Sequence, residues 1–279
     1  GMQDKAAGKP LARDSIFRIY SMTKPLVSVA AMMLVEDGRL QLTDAVSKFL
    51  PALKSQTVSV ATADAEFAKI IYAQVPANRE MSVQDLLRHT AGLAYGEITQ
   101  NAPVKEALAN AGLFKSAIEF DTRDLSPAEQ VERLARVPLA HQPGTVWEYS
   151  LASDLLGRVV EAASGERLGD FLDRRLFKPL KMNDTGFRVP SNKMGRLAQP
   201  LAIDGASGKP IALIDVAAMP GNDSGGAGGV RGAAAPVAAA APGVRAVTSG
   251  PGALTRPRRA SPAGWSWASG SASSGCRGW

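Results

Sequence analysis

The sequence predicts a predominantly helical globular body over residues 1–230, followed by a disordered tail over residues 231–279. Three observations carry this expectation. Segments with helix-starting and helix-stopping residues recur along the body. Strand signals are few, with Ile211–Val216 the one weak candidate. Composition then changes abruptly after Val230.

The helices follow in order. Ser21-Met22-Thr23-Lys24 opens the apolar stretch PLVSVAAMMLVEDG, which Gly38 ends. Proline is tolerated in a helix only in its first turn, so Pro25 places the helix start close to Ser21. Ser82 begins SVQDLLRHTAG, with Asp85 at the capping-box position and Gly92 as the stop. Ser126-Pro127-Ala128-Glu129 is a second capping box, with proline at the first helical position, and leads into QVERLARV. A third helix is expected from near Leu151 to Ser164, stopped by Gly165, and a fourth from Glu166 to Leu176, before Pro179. Residues 52–80 and 94–124 read as irregular, the second as a lid-like loop with short helices. The mixed-charge segment Asp4–Asp14 reads as a solvated loop.

Composition bounds the function. A chain of 279 residues, 45% hydrophobic, can build one large core or two small ones. No run of 18 apolar residues occurs, so no transmembrane helix and no membrane partner are expected. The start, GMQDKAAGKPLARD, has no apolar signal segment, which weighs towards the cytoplasm. Cys276 is the one cysteine and the two histidines are far apart, so no disulfide, metal site or cofactor is expected. The net charge of +6 sits in the tail, whose six arginines face no acidic residue. The body carries equal numbers of basic and acidic residues, so no nucleic-acid partner is expected from it.

The tail consists almost wholly of Ala, Gly, Pro, Ser, Arg, Val and Trp. It lacks apolar periodicity, which predicts disorder. Its abundant residues are those with G- and C-rich codons, which suggests out-of-frame translation. The other reading is a natural flexible basic tail.

The tetrad Ser21-Met22-Thr23-Lys24 carries the sharpest chemistry. Residues i and i+3 share one face of a helix, so Lys24 can reach the Ser21 hydroxyl. A serine hydroxyl is a poor nucleophile until a neighbouring base takes its proton. The helix N-terminus adds positive potential that favours a developing oxyanion. Alone, S-x-x-K is common, and Ser21 could simply cap the helix with Lys24 solvated. A Ser-His-Asp hydrolase is disfavoured, because no G-x-S-x-G is present and His89 reads as a packing residue. Gly225–Gly229 lacks the spacing of a phosphate loop and reads as a turn.

Longer segments sharpen the choice. Arg18–Pro25 followed by LVEDGRLQLTDAVSKFLP, Leu86–Leu93 (LLRHTAGL), Pro143–Ser150 (PGTVWEYS) and Phe177–Phe187 (FKPLKMNDTGF) resemble the class C β-lactamase superfamily. They do so in that order and over residues 14–230. S-M-T-K with P-G-T-x-W-x-Y-S is most similar to the β-lactamase-like carboxylesterases. The resemblance implies an α/β fold of the serine β-lactamase/transpeptidase type, an antiparallel sheet flanked by helices plus a helical subdomain. It implies Ser21 as acylated nucleophile, Lys24 as the residue that helps deprotonate it, and Tyr149 as general base or proton relay. The Ser21 N–H would be one oxyanion donor.

Two departures follow. Leu151 stands where the β-lactamases carry the Asn of Y-x-N, which tilts the expectation from lactams to esters. After Gly225–Val230 no K-T-G, H-T-G or W-G-G follows, and Ser21 lies only 20 residues in. The central sheet is therefore expected to be incomplete, its opening and closing strands absent and the chain truncated at both ends. The expected activity is ester hydrolysis of a small molecule through an acyl-enzyme. The alternatives are a β-lactamase- or D-aminopeptidase-type amide hydrolase and an inactive fragment of such an enzyme. No oligomeric state is implied.

Overall fold

The computed structural model describes residues 1–64, 69–114, 125–199 and 208, and the backbone of Val237–Ala239. These residues lie within one unit, Gly1–Pro242. Three short strands, β1 (Met2–Asp4), β2 (Lys9–Pro10) and β3 (Ile16–Arg18), precede helix α1 (Thr23–Glu36). The expected solvated loop at Asp4–Asp14 thus contains the turn of a β1–β2 hairpin, in which Met2 pairs with Pro10. Short strands also stand where opening strands were expected to be absent. Chain pairing decides this: β3 carries only three residues, yet it bonds antiparallel to β6 (Val237–Ala239), and Ala198 N–H bonds the Ile16 carbonyl. Local sequence pattern contains neither contact.

Helix α1 begins after a 3-10 turn over Tyr20–Met22, so Ser21 stands at its entrance and Pro25 falls in its first turn. It buries Val27, Ala30, Ala31 and Leu34, while Asp37 closes it and Gly38 takes φ +70°. Helix α5 (Ala152–Ser164) packs against α1 and buries Leu155, Leu156, Val159 and Val160. Its C-cap is Gly165, the stop that the sequence predicted, and it adopts the left-handed conformation.

Between them lie the remaining elements. A hairpin of β4 (Thr57–Asp64) and β5 (Lys69–Pro76) occupies the segment expected to be irregular. Both strands are largely exposed, so neither shows the apolar/polar alternation by which a half-buried strand is recognised. Helix α2 (Val83–Arg88) has the predicted Ser82–Asp85 capping box but stops earlier than expected. His89, at φ 55°, is its C-cap in place of Gly92, because Thr90 N–H bonds the Asp85 carbonyl and Thr90 Oγ1 donates to its carboxylate. Helix α3 (Ala102–Asn110) is one of the short helices expected in 94–124, and residues 115–124 lie outside the described residues. Helix α4 (Pro127–Ala135) has the Ser126–Glu129 box and proline at its start. Helix α6 (Leu168–Leu172) runs into a π-helical turn over Asp173–Phe177 and buries Leu168, Phe171, Leu172 and Phe177.

One core joins α1, α2, α5 and α6, with Leu34, Leu86, Leu156, Val159 and Leu172 all fully buried. The strand candidate Ile211–Val216, the Gly225–Gly229 cluster and, apart from Val237–Ala239, the tail lie outside the described residues. Among the described residues, the strands form three two-stranded antiparallel sheets.

Candidate active site

The three residues singled out in the sequence converge. Ser21 Oγ lies 2.6 Å from Tyr149 Oη, across 128 residues of chain. Lys24 Nζ donates to Ser21 Oγ at 3.4 Å, one turn along α1. Ser21 is exposed, Tyr149 half-buried and Lys24 buried, so an accessible hydroxyl sits on a largely covered ammonium. Aromatic rings provide that cover: Lys24 Nζ lies 4.7 Å from the Tyr149 ring centre and 5.8 Å from that of Tyr95. Cation–π contact compensates part of the ammonium's lost hydration. An ammonium only donates, so the Ser21 oxygen accepts from Lys24, while either hydroxyl can donate between Ser21 and Tyr149.

Two loops hold Tyr149 in place. Residues 89–92 and 140–148 are laced by three backbone bonds: Ala140 N–H to Gly92 O, Gly144 N–H to Thr90 O and Glu148 N–H to His89 O. The loop 140–148 is further closed by His141 Nε2 against Glu148 Oε2 at 2.7 Å. Gly92 sits at φ +81°, where a Cβ would come within 2.1 Å of the His141 carbonyl oxygen. The LLRHTAGL and PGTVWEYS segments therefore form one support, although 50 residues separate Gly92 from Gln142.

Leu151, in the place of the Y-x-N asparagine, is 3% exposed and packs in the main core as the N-cap of α5. Sequence reasoning did not single out Tyr95, which is 5% exposed and tilts on Tyr149 at 5.4 Å between centroids. Nor did it give His89 a place beside the site, where its ring lies 5.2 Å from that of Tyr149. Only the spacing of Tyr95 after the LLRHTAGL segment could have pointed to it. Among the described residues, no group of three or more His, Cys, Asp or Glu could hold a metal ion, and no helix is long and apolar enough to cross a membrane.

Fold and site together define a serine β-lactamase/transpeptidase-like domain. The Beta-lactamase family model matches residues 1–277, and the chain belongs to that family. It is 36% identical over 204 residues to Protein Rv1367c of Mycobacterium tuberculosis, covering 73% of this chain and 47% of that protein. It is 35% identical over 187 residues to Esterase EstB of Burkholderia gladioli, covering 67% and 42% respectively. The solved structure of EstCE1, a hydrolase with promiscuous acyltransferase activity, superimposes with a TM-score of 0.62 at 26% identity, over 86% of this chain and 59% of that one. The chain thus spans under half the length of these two curated relatives.

Proposed function

We propose that this chain is a serine hydrolase that cleaves carboxylic esters of small molecules through an acyl-enzyme. The observation that carries the reading is the contact of Ser21 Oγ with both Tyr149 Oη and Lys24 Nζ. In its phenolate form Tyr149, the nearer group, takes the hydroxyl proton as Ser21 Oγ attacks the ester carbonyl, becoming a neutral phenol. Lys24 stabilises the negative charge that moves between the two oxygens. The proton on Tyr149 then passes to the leaving alkoxide, which departs as an alcohol. Water, deprotonated by the same tyrosine, releases the acid and restores Ser21.

Substrate class follows from the surroundings. Met22, next to Ser21, is 69% exposed, and Trp147, two residues before Tyr149, is 66% exposed. Large apolar groups so exposed beside a nucleophile favour an apolar acyl or alcohol group. Leu151 offers no hydrogen bond to a lactam or peptide amide, which favours esters over the amide-hydrolase alternative. The name of Esterase EstB supports the same preference.

The test is p-nitrophenyl butyrate hydrolysis by the chain and by Ser21→Ala, with nitrocefin in parallel. Ester cleavage lost in the variant is expected, with nitrocefin turned over more slowly. Equal rates in the two proteins, or no hydrolysis by either, overturn the reading. Faster nitrocefin turnover would transfer it to the amide-hydrolase class.

A further inference from the structure

The sequence reading left His89 as a packing residue, but its surroundings assign it more. Its Nδ1 lies 3.3 Å from two groups of Ser150, the backbone N–H and Oγ. A backbone N–H can only donate, so Nδ1 is an acceptor and its proton is on Nε2. Ser150 Oγ in turn accepts from Ala152 N–H at 3.4 Å, at the first turn of α5. The imidazole is tilted on the Tyr149 ring, 5.2 Å between centroids at 33°, and makes an edge-type contact with Trp147 at 6.3 Å. The His89 carbonyl accepts from Glu148 N–H at 3.0 Å. One residue therefore holds positions 148, 149 and 150 by three different contacts.

We infer that neutral His89 is a positioning residue that fixes Tyr149 against Ser21 through its Nδ1 bond to the Ser150 amide. The inference rests on the proposed reading of Ser21 and Tyr149 and adds a control to it. Protonation at Nδ1 turns the acceptor into a donor that faces another donor, and Tyr149 loses its anchor. The fold opposes that protonation: burial pushes the imidazole below its ordinary value of 6.5, and the Lys24 ammonium acts in the same direction. The other ionisable groups near it do not offset this. Glu148 turns its carboxylate to His141, Asp85 is held by Arg79 and Ser82, Tyr95 packs on the Tyr149 ring, and Arg88 is exposed on α2. Activity is therefore full where His89 is neutral and falls as pH drops below the ordinary imidazole range.

Asparagine separates positioning from packing. It tolerates the left-handed backbone at φ 55°, presents a carbonyl oxygen to the Ser150 amide and does not titrate. With p-nitrophenyl butyrate, His89→Ala is expected to lose about tenfold to a hundredfold in kcat with KM little changed. His89→Asn is expected to recover most of that loss and to shed the acidic fall in its pH profile. An alanine variant as fast as the wild type, an asparagine variant as slow as alanine, or an unchanged acidic limb overturns the inference. Ser21→Ala as active as the wild type would sink the Ser21 reading instead. A second measurement needs no turnover: long-range 1H–15N spectra of the wild type, with His141→Gln for assignment. An Nε2–H tautomer for His89 at neutral pH supports the inference, and an Nδ1–H or charged ring overturns it.

Discussion

The Arg79 guanidinium passes so close beneath Gly144 that a Cβ on the glycine would lie 2.1 Å from Nη2. Arg79 cannot simply swing away, because its two terminal nitrogens bond both carboxylate oxygens of Asp85, at 2.6 and 2.9 Å. The glycine also sits at φ +86°, where side chains are strained. Gly144→Ala is therefore expected to cost about 2 kcal/mol or more of stability. Because Gly144 belongs to the loop that ends in Tyr149, kcat on p-nitrophenyl butyrate should fall as well. Gly38→Ala is the control: φ is +70° but nothing lies within 4 Å of the new Cβ. It should cost only about 1 kcal/mol and leave kcat alone. Equal losses in the two variants would refute the steric role of Arg79.

Tyr149→Phe removes the hydroxyl 2.6 Å from Ser21 Oγ and keeps the ring that packs on His89 and Tyr95. The expected result is a fall of about 10²–10⁴ in kcat with thermal stability nearly unchanged. The KM should move little, since the hydroxyl acts on the proton and not on substrate binding. A phenylalanine variant within a few-fold of the wild-type rate would move the base role from Tyr149 to Lys24.

How far the sequence reached is seen by comparing elements. The capped helices were legible because their signals are local: Ser126 and Glu129 lie three residues apart, and Gly165 directly follows Ser164. The β4–β5 hairpin was not, because its exposure removes the alternation that marks a strand. Ser21 and Lys24 were legible as an i, i+3 pair, whereas Tyr149 needed the family resemblance, its partner being 128 residues away. His89 fell between the two. Its motif was visible, but the Ser150 contact that gives it a role spans 61 residues and has no local pattern.

Helix α1 is the floor of the site, and its two faces differ. Leu34 is fully buried against the core, while Val29 is 41% exposed. Leu34→Ala should cost about 2–5 kcal/mol, the range for a cavity in a close-packed interior. Val29→Ala should stay within about 0.5 kcal/mol. Urea denaturation measures both. A small loss at Leu34 would mean that the α1–α5 interface collapses readily around the gap.

Acid should unfold this domain through identifiable carboxylates. Burial alone would raise Asp85, but the Arg79 guanidinium and the Ser82 N–H and hydroxyl outweigh it and hold the carboxyl at about 2. Asp184 is held at about 2 mainly by Arg196, with Lys193 adding to it. Both folded-state values lie below the ordinary 3.8, so the folded state binds protons less readily than the unfolded chain. Their stabilisation is then complete above the ordinary value and lost as pH falls through it towards 2. For Asp85, 5% exposed, the shift corresponds to about 2 kcal/mol. Asp85→Asn should be less stable than the wild type at neutral pH by about that amount. The gap should narrow as pH is lowered from about 4 to about 2, where the wild-type carboxylate itself is neutralised. Thermal melts of the two proteins across that window check this. A gap that stays constant with pH would show that Asp85 acts through its capping geometry on α2 and not through its charge.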